Sequence, residues 1–148
     1  MKRLGTYTAR GQVLEGQEQK VILFDGRFDT GYRVTGFLIW GGDISSSSND
    51  CAARLATESI GNMPSSGDMM DARDSRQIGW AGIQAGTAGF NNPAGIVDFD
   101  NLVIEDLYIS GQSGGSSIPI NYLITMEKYE ISEWRGALGM VRNSAQDV

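Results

Sequence analysis

The sequence contains no histidine and only one cysteine, Cys51. Without histidine, the chain lacks the general base of the usual serine and cysteine triads and a ligand of most zinc sites. A single cysteine allows neither an intramolecular disulfide nor a thiolate metal cluster. Cys51 is therefore predicted to be a small buried hydrophobe rather than a nucleophile.

Long apolar runs and clusters of basic residues are also missing. The longest uninterrupted apolar stretches, VILF and FLIW, have four residues each, which is far too short for a membrane span. No apolar run follows the first residues, so no signal peptide is expected, and synthesis in the cytoplasm is predicted. Twelve basic against 18 acidic residues give a net charge of −6. Direct nucleic-acid and membrane partners are therefore not expected.

The chain is rich in glycine, with 20 residues, and its short apolar runs are separated by turn residues. This spacing is typical of an all-β domain. About eight strands are predicted, over residues 7–14, 20–24, 32–40, 52–57, 77–83, 96–99, 102–110 and 119–129. One antiparallel β-sandwich domain over residues 1–148, with jelly-roll-like connections, accounts for this number of strands.

Two of the predicted strands have clear period-two patterns. In the last strand every second residue from Ile120 to Met126 is apolar, which predicts that these side chains face the core. In the third strand, four large residues are predicted to share one face: Tyr32, Val34, Leu38 and Trp40.

The carboxyl-terminal segment has a helical pattern instead. Ser132 is a good N-cap residue, and Glu133 suits the positive end of a helix. A helix over about residues 133–143 is predicted from a single apolar stripe: Trp134, Ala137, Leu138 and Val141. Gly136 and Gly139 weaken this helix, so its stripe is expected to dock on its own domain or on a neighbouring subunit.

The tripeptide DTG at residues 29–31 is the signature of aspartic proteases, in which two aspartates share a proton. Those enzymes place apolar residues before the aspartate and a small residue after the glycine, whereas this chain has Arg27, Phe28 and Tyr32. The same letters are common turn chemistry, because aspartate bonds backbone amides and glycine accepts positive φ. A structural turn is therefore predicted at four residues: Asp25, Gly26, Asp29 and Gly31.

Two acidic stretches, DMMDARD at 68–74 and DFDNLVIED at 98–106, carry oxygen ligands suited to calcium. Neither has the spacing of an EF-hand loop, so a solvated acidic face is the favoured interpretation. A carboxylate pair for glycoside hydrolysis stays open. No catalytic residue, cofactor or metal ligand is assigned.

Three segments resemble small β-rich structural proteins of marine viruses, chiefly tailed phages. They are LFDGRFDTGYRVTGFLIW, DFDNLVIEDLYISGQ and INYLITMEKYEISEWRGALGMVRNSAQDV, about 60 of the 148 residues. The resemblance implies a virion component, and we predict a capsid-associated one, in the shell, the cement or decoration layer, or the vertex. Such a protein would form a homo-oligomer, contact other virion proteins and perform no catalysis.

Two other functions are compatible with the sequence. A carbohydrate- or ligand-binding β-sandwich would present exposed aromatic side chains in a cleft. The remote alternative is an aspartic-protease-like hydrolase that uses the DTG tripeptide.

Overall fold

The computed structural model describes residues 2–24, 26–27, 29–42, 50–64, 70–83, 95–114 and 119–131. Within these ranges the chain forms nine strands and no helix. The strands are β1 (Lys2–Val13), β2 (Glu18–Val21), β3 (Thr30–Gly41), β4 (Cys51–Ala56), β5 (Gln77–Ile83), β6 (Ile96–Val97), β7 (Leu102–Val103), β8 (Leu107–Ser113) and β9 (Ile120–Glu130). The predicted all-β class is confirmed, and the helix predicted over 133–143 lies outside the described residues.

The strands form two antiparallel sheets. Sheet A has the order β1-β9-β3-β7, and sheet B has the order β2-β8-β4-β5-β6. Most connections between consecutive strands pass from one sheet to the other, so strands that pair are far apart in the chain. The longest example is the pairing of β1 with β9, which runs from Lys2 opposite Glu130 to Val13 opposite Ile120.

The buried faces of the two sheets meet in one hydrophobic core. Sheet A contributes Val34, Phe37, Ile39, Val103, Ile120, Tyr122, Ile124 and Met126, among others. Sheet B contributes Val21, Cys51, Ala53, Leu55, Ile78, Ala81, Leu107 and Ile109. The predicted inward face of the last strand is confirmed, because its alternate residues from Ile120 to Met126 are all buried.

A β-bulge interrupts the alternation of β3. The register against β9 shifts between Val34 and Gly36, so Thr35 is an extra residue without an opposite partner. One extra residue inverts the faces of everything that follows it. Phe37 and Ile39 are buried in the core for this reason.

The bulge overturns one part of the sequence prediction. Leu38 and Trp40 do not share a face with Tyr32 and Val34, because they follow the extra residue. They alternate with the buried residues of β3 and are only half buried. The hydrophobic pattern alone carried no sign of the inversion.

The strand predicted over residues 102–110 is divided into β7 and β8 by a turn around Asp106. The Oδ1 atom of Asp106 accepts hydrogen bonds from the amides of Leu23, at 2.7 Å, and Phe24, at 2.9 Å. Its Oδ2 atom lies 3.2 Å from Lys20 Nζ. Burial acts to raise the pKa of Asp106, but these donors outweigh it and hold the pKa below its ordinary value. Asp106 is thus a structural acceptor and not part of a solvated acidic face.

Cys51 begins β4 and is buried, as predicted. Burial raises the pKa of its thiol to about 11, and the neighbouring charge of Asp50 adds to the rise. The thiol therefore stays protonated at neutral pH, which is the state of a structural rather than a reactive cysteine.

Candidate functional site

The predicted turn lies just before β3. Gly26 has a φ of 87°, the positive value for which glycine was predicted, while Asp25 lies outside the described residues. The guanidinium of Arg27 binds the carboxylate of Asp29, with Nε 2.8 Å from Oδ1 and one terminal nitrogen 2.6 Å from Oδ2. Both oxygens of this aspartate therefore hold the turn.

Gly31 does not belong to the turn, because it is the second residue of β3 and lies opposite Tyr129. Its φ is not positive, so the predicted reason for glycine at this position is wrong. A Cβ atom here would lie 2.9 Å from Ile104 Cδ1 and 3.2 Å from Leu102 Cγ. Glycine at this position avoids close contact with the side chains of Leu102 and Ile104, and it is not required by the backbone conformation.

Gly31→Val is expected to lower the free energy of unfolding by about 1–3 kcal/mol, because its side chain would overpack this contact. Asp29→Asn is the matched comparison and is expected to change it by less than about 1 kcal/mol, since the ion pair with Arg27 is partly exposed. Urea unfolding of both variants measures the difference. Equal midpoints for Gly31→Val and the wild type would contradict the close packing at Gly31.

The turn and the end of β9 meet at one end of sheet A. The amide of Ile131 donates to the carbonyl oxygen of Asp29 at 2.6 Å, and Ile131 is buried. The helix predicted over residues 133–143 lies outside the described residues, which end at Ile131. The helix stripe itself lies outside the described residues: Trp134, Ala137, Leu138 and Val141.

Two tyrosines and a lysine form a cluster at the same end of sheet A. The rings of Tyr7 on β1 and Tyr32 on β3 lie 6.4 Å apart and are nearly perpendicular, at 85°. Lys128 on β9 places its Nζ atom 5.9 Å from the Tyr7 ring centre and 5.4 Å from that of Tyr32. Each ring therefore has one face occupied by an ammonium group. The cluster was not predicted from the sequence, because only the strand order brings its three residues together.

A second polar cluster covers the outer side of sheet B. Arg54 on β4 is only 4% exposed, although it alternates with core residues. Its Nε atom donates to Ser110 Oγ on β8 at 2.8 Å, and one terminal nitrogen lies 3.5 Å from the carbonyl oxygen of Gly61. Burial lowers the pKa of Arg54, and the nearby carboxylates of Glu18 and Asp74 act in the opposite direction.

Glu18 on β2 binds residues 59–62, the segment that contacts Arg54 through Gly61 and that we call the cover of sheet B. Its Oε2 atom accepts hydrogen bonds from the amides of Ile60 and Gly61, both at 2.9 Å, and its Oε1 atom accepts from the Ser59 hydroxyl. Its own amide donates to Asn62 Oδ1 at 3.1 Å. Residues 59–62, at the start of the segment between β4 and β5, are therefore held against sheet B by hydrogen bonds to Glu18.

The two described aspartates of the acidic stretch at 68–74 are paired with Arg73 inside it and with Arg76 just after it, while Asp68 lies outside the described residues. Asp71 accepts from the side chain of Arg73 at 3.0 and 3.1 Å, and Asp74 accepts from that of Arg76 at 2.9 Å through both oxygens. These arginine hydrogen bonds hold the pKa of both carboxyls below the ordinary value. In the described ranges, no group of three or more acidic or cysteine side chains is placed to hold a metal ion.

The described residues also contain no helix with the length and apolar character of a membrane span. No protein-family model matches the chain, and no curated protein matches its sequence.

Proposed function

We propose that the protein is a jelly-roll structural protein of a virion, which acts by assembling with copies of itself and with other virion proteins. The observation that carries the proposal is the strand order. In an eight-stranded jelly roll, strands 1-8-3-6 form one sheet and strands 2-7-4-5 form the other. When the two-residue edge strand β6 is left out and the others are renumbered, β1-β9-β3-β7 and β2-β8-β4-β5 have this order.

The jelly roll is the fold of many viral capsid domains, so the strand order and the resemblance of the three sequence segments support the same function. A rigid pair of sheets with long connections suits repeated contacts with neighbours. The position in the particle is proposed as shell, decoration layer or vertex.

Three carboxylates of the acidic stretches are poor candidates for a general acid. A general acid needs a raised pKa, whereas Asp71, Asp74 and Asp106 have lowered values. Asp29, the aspartate of the protease-like tripeptide, is bound through both oxygens by Arg27. In an aspartic protease, by contrast, the corresponding carboxylate shares a proton with a second aspartate.

The proposal is tested on the purified full-length chain by sedimentation equilibrium, glycan-array binding and peptide cleavage. A homo-oligomer of defined size is expected, with neither glycan binding nor cleavage. A monomer at about 100 μM, well above the range of stable association, would overturn it. Pepstatin-sensitive cleavage that is lost in Asp29→Asn would instead support the hydrolase.

A carbohydrate-binding module is the second candidate, because lectin domains also use the jelly roll and Tyr7 is 48% exposed. The cluster geometry weighs against stacking of a sugar there, since Lys128 occupies one face of each ring. Glycan binding that is abolished by Tyr7→Ala would favour this candidate.

We also propose that residues 133–143 form a helix that docks through its apolar stripe. Docking on its own domain is expected, because Ile131 is buried and fixed, and only Ser132 and Glu133 separate it from Trp134. Trp134→Ala should therefore lower the melting temperature by an amount that does not depend on protein concentration.

The alternative, docking on a neighbouring subunit, predicts a folded Trp134→Ala monomer that no longer assembles. Calorimetry at several protein concentrations, together with sedimentation, separates the two. If neither melting nor oligomeric state changes, the stripe is exposed and the proposed helix docking is wrong.

A further inference from the structure

The two sheets end in four edge strands of very different length. Three are short: β2 has four residues, and β6 and β7 have two each. The fourth, β1, has 12 residues, and within the described part of the chain it pairs only with β9. A long edge of this kind presents a row of unpaired backbone N–H and C=O groups to any strand that can lie beside it.

The first half of β1 is exposed on both of its faces. From Lys2 to Thr8 every residue except Gly5 is exposed, and Gly5 is half buried. Two large apolar side chains lie here, Leu4 at 42% and Tyr7 at 48% exposure. Threonine and tyrosine in this segment are residues that favour pairing with a further strand. Both the backbone and the side chains of this half are therefore accessible to a partner.

The charge of β1 is opposite to that of the whole chain. β1 carries three basic residues, Lys2, Arg3 and Arg10, and no acidic residue, whereas the chain has a net charge of −6. Arg3 is paired with Glu127 at 2.6 Å. Lys2 and Arg10 are exposed and have no ionic or hydrogen-bonded side-chain partner among the described residues. Two cations near opposite ends of the open edge are thus available.

These charges select the partner. Two β1 strands would bring Lys2 and Arg10 of both copies into one seam, and β1 itself has no carboxylate to offset them, which disfavours self-pairing. An extended segment with acidic side chains meets Lys2 and Arg10 with opposite charge while its backbone continues the ladder of sheet A. The edge therefore repels its own copy and attracts an acidic strand.

We propose that β1 is a docking strand, onto which an extended acidic segment of a partner protein adds as a fifth strand of sheet A. The inference rests on the proposed assembly function and specifies the chemistry of one contact. Backbone hydrogen bonds supply the ladder, Leu4 and Tyr7 supply apolar contact, and Lys2 and Arg10 fix the sign of the partner's charge.

The test uses two synthetic peptides of about ten residues, the length of a long strand, with Thr-Thr-Glu-Glu or Thr-Thr-Lys-Lys repeats. These repeats place charges on both faces of the added strand, because a register shift between Arg3 and Gly5 puts Lys2 and Arg10 on opposite faces of sheet A. Each is titrated into the ¹⁵N-labelled full-length chain. The Glu peptide should bind, with amide shifts and new hydrogen-exchange protection confined to β1 and its neighbours. A double variant, Lys2→Glu with Arg10→Glu, should weaken binding at least about tenfold.

Arg73→Glu is the control for each single substitution, Lys2→Glu or Arg10→Glu, because it makes the same charge change as either one on a side chain that is 82% exposed and lies far along the chain from β1. It should leave the affinity for the Glu peptide unchanged. Equal binding of the Lys peptide, protection outside β1, or no binding of the Glu peptide at about 1 mM would each overturn the inference. Cross-strand contacts between β1 of two copies would identify a second copy as the occupant and would overturn it as well.

The two proposals fail separately. If the chain forms its homo-oligomer but the Glu peptide does not bind β1, the docking strand is wrong and the assembly function stands. If the peptide binds β1 but the chain stays monomeric, the assembly function is wrong while the edge still accepts acidic strands.

Discussion

Replacing Arg54 with alanine is expected to lower the free energy of unfolding by about 2–4 kcal/mol. Arg54 is almost fully buried, so the substitution removes a long side chain from a packed position. It also leaves the buried hydroxyl of Ser110 without its donor and frees one contact to the carbonyl of Gly61. An unsatisfied buried polar group alone costs about 1–3 kcal/mol.

Arg73→Ala is the matched control for this experiment. Arg73 forms an ion pair with Asp71 at 3.0 Å, but its side chain is exposed, so its loss is expected to cost less than about 1 kcal/mol. Urea unfolding of both variants gives the comparison. Equal unfolding midpoints for the two would mean that the guanidinium of Arg54 does not hold the cover of sheet B.

The same substitution should loosen the cover before the whole domain unfolds. The amides of Ile60 and Gly61 are bonded to Glu18, and their exchange with solvent reports the opening of this segment. Faster exchange at these two amides in Arg54→Ala is expected. An unchanged rate there, with a lower overall stability, would place the effect of Arg54 in the sheet and not in the cover.

The local pattern of apolar runs and turn residues predicted most strands, because both are properties of neighbouring residues in the sequence. β5 coincides with the predicted range 77–83, and β9 differs from its prediction by one residue at each end. β1 begins at Lys2 rather than at residue 7, because its first half is exposed on both faces and shows no period-two contrast. The strand order depends on long-range pairing, and no local pattern contained it.

The candidate sites were predicted less well than the strands. Gly26 has the predicted positive φ, whereas Gly31 has no positive φ, and a Cβ atom there would press on the side chains of Ile104 and Leu102. Arg54 stands in a strand sequence that is typical of a solvent-facing arginine. It is buried where it contacts Gly61 and Ser110, and the pairing of β4 with β8 that brings Ser110 beside it is not encoded in the local sequence.

Replacing Phe37 with alanine is expected to lower the free energy of unfolding by about 3–5 kcal/mol. Phe37 is 1% exposed, and its ring lies 3.4 Å from the position of a Cβ atom at Gly79 in sheet B. The side chain therefore joins the two sheets in one core. Phe99→Ala is the control, because Phe99 is 54% exposed and its loss should cost less than about 1 kcal/mol.

Leu38→Ala turns this experiment into a test of the bulge at Thr35. With the bulge, Leu38 is half buried on the outer side of sheet A, and its truncation should cost about 1 kcal/mol, far less than that of Phe37. Uninterrupted alternation from Val34 predicts the reverse order, because it would turn Leu38 into the core and Phe37 outward. Urea unfolding of the two variants distinguishes the registers. A larger loss of stability in Leu38→Ala than in Phe37→Ala would mean that β3 pairs with β9 without the extra residue.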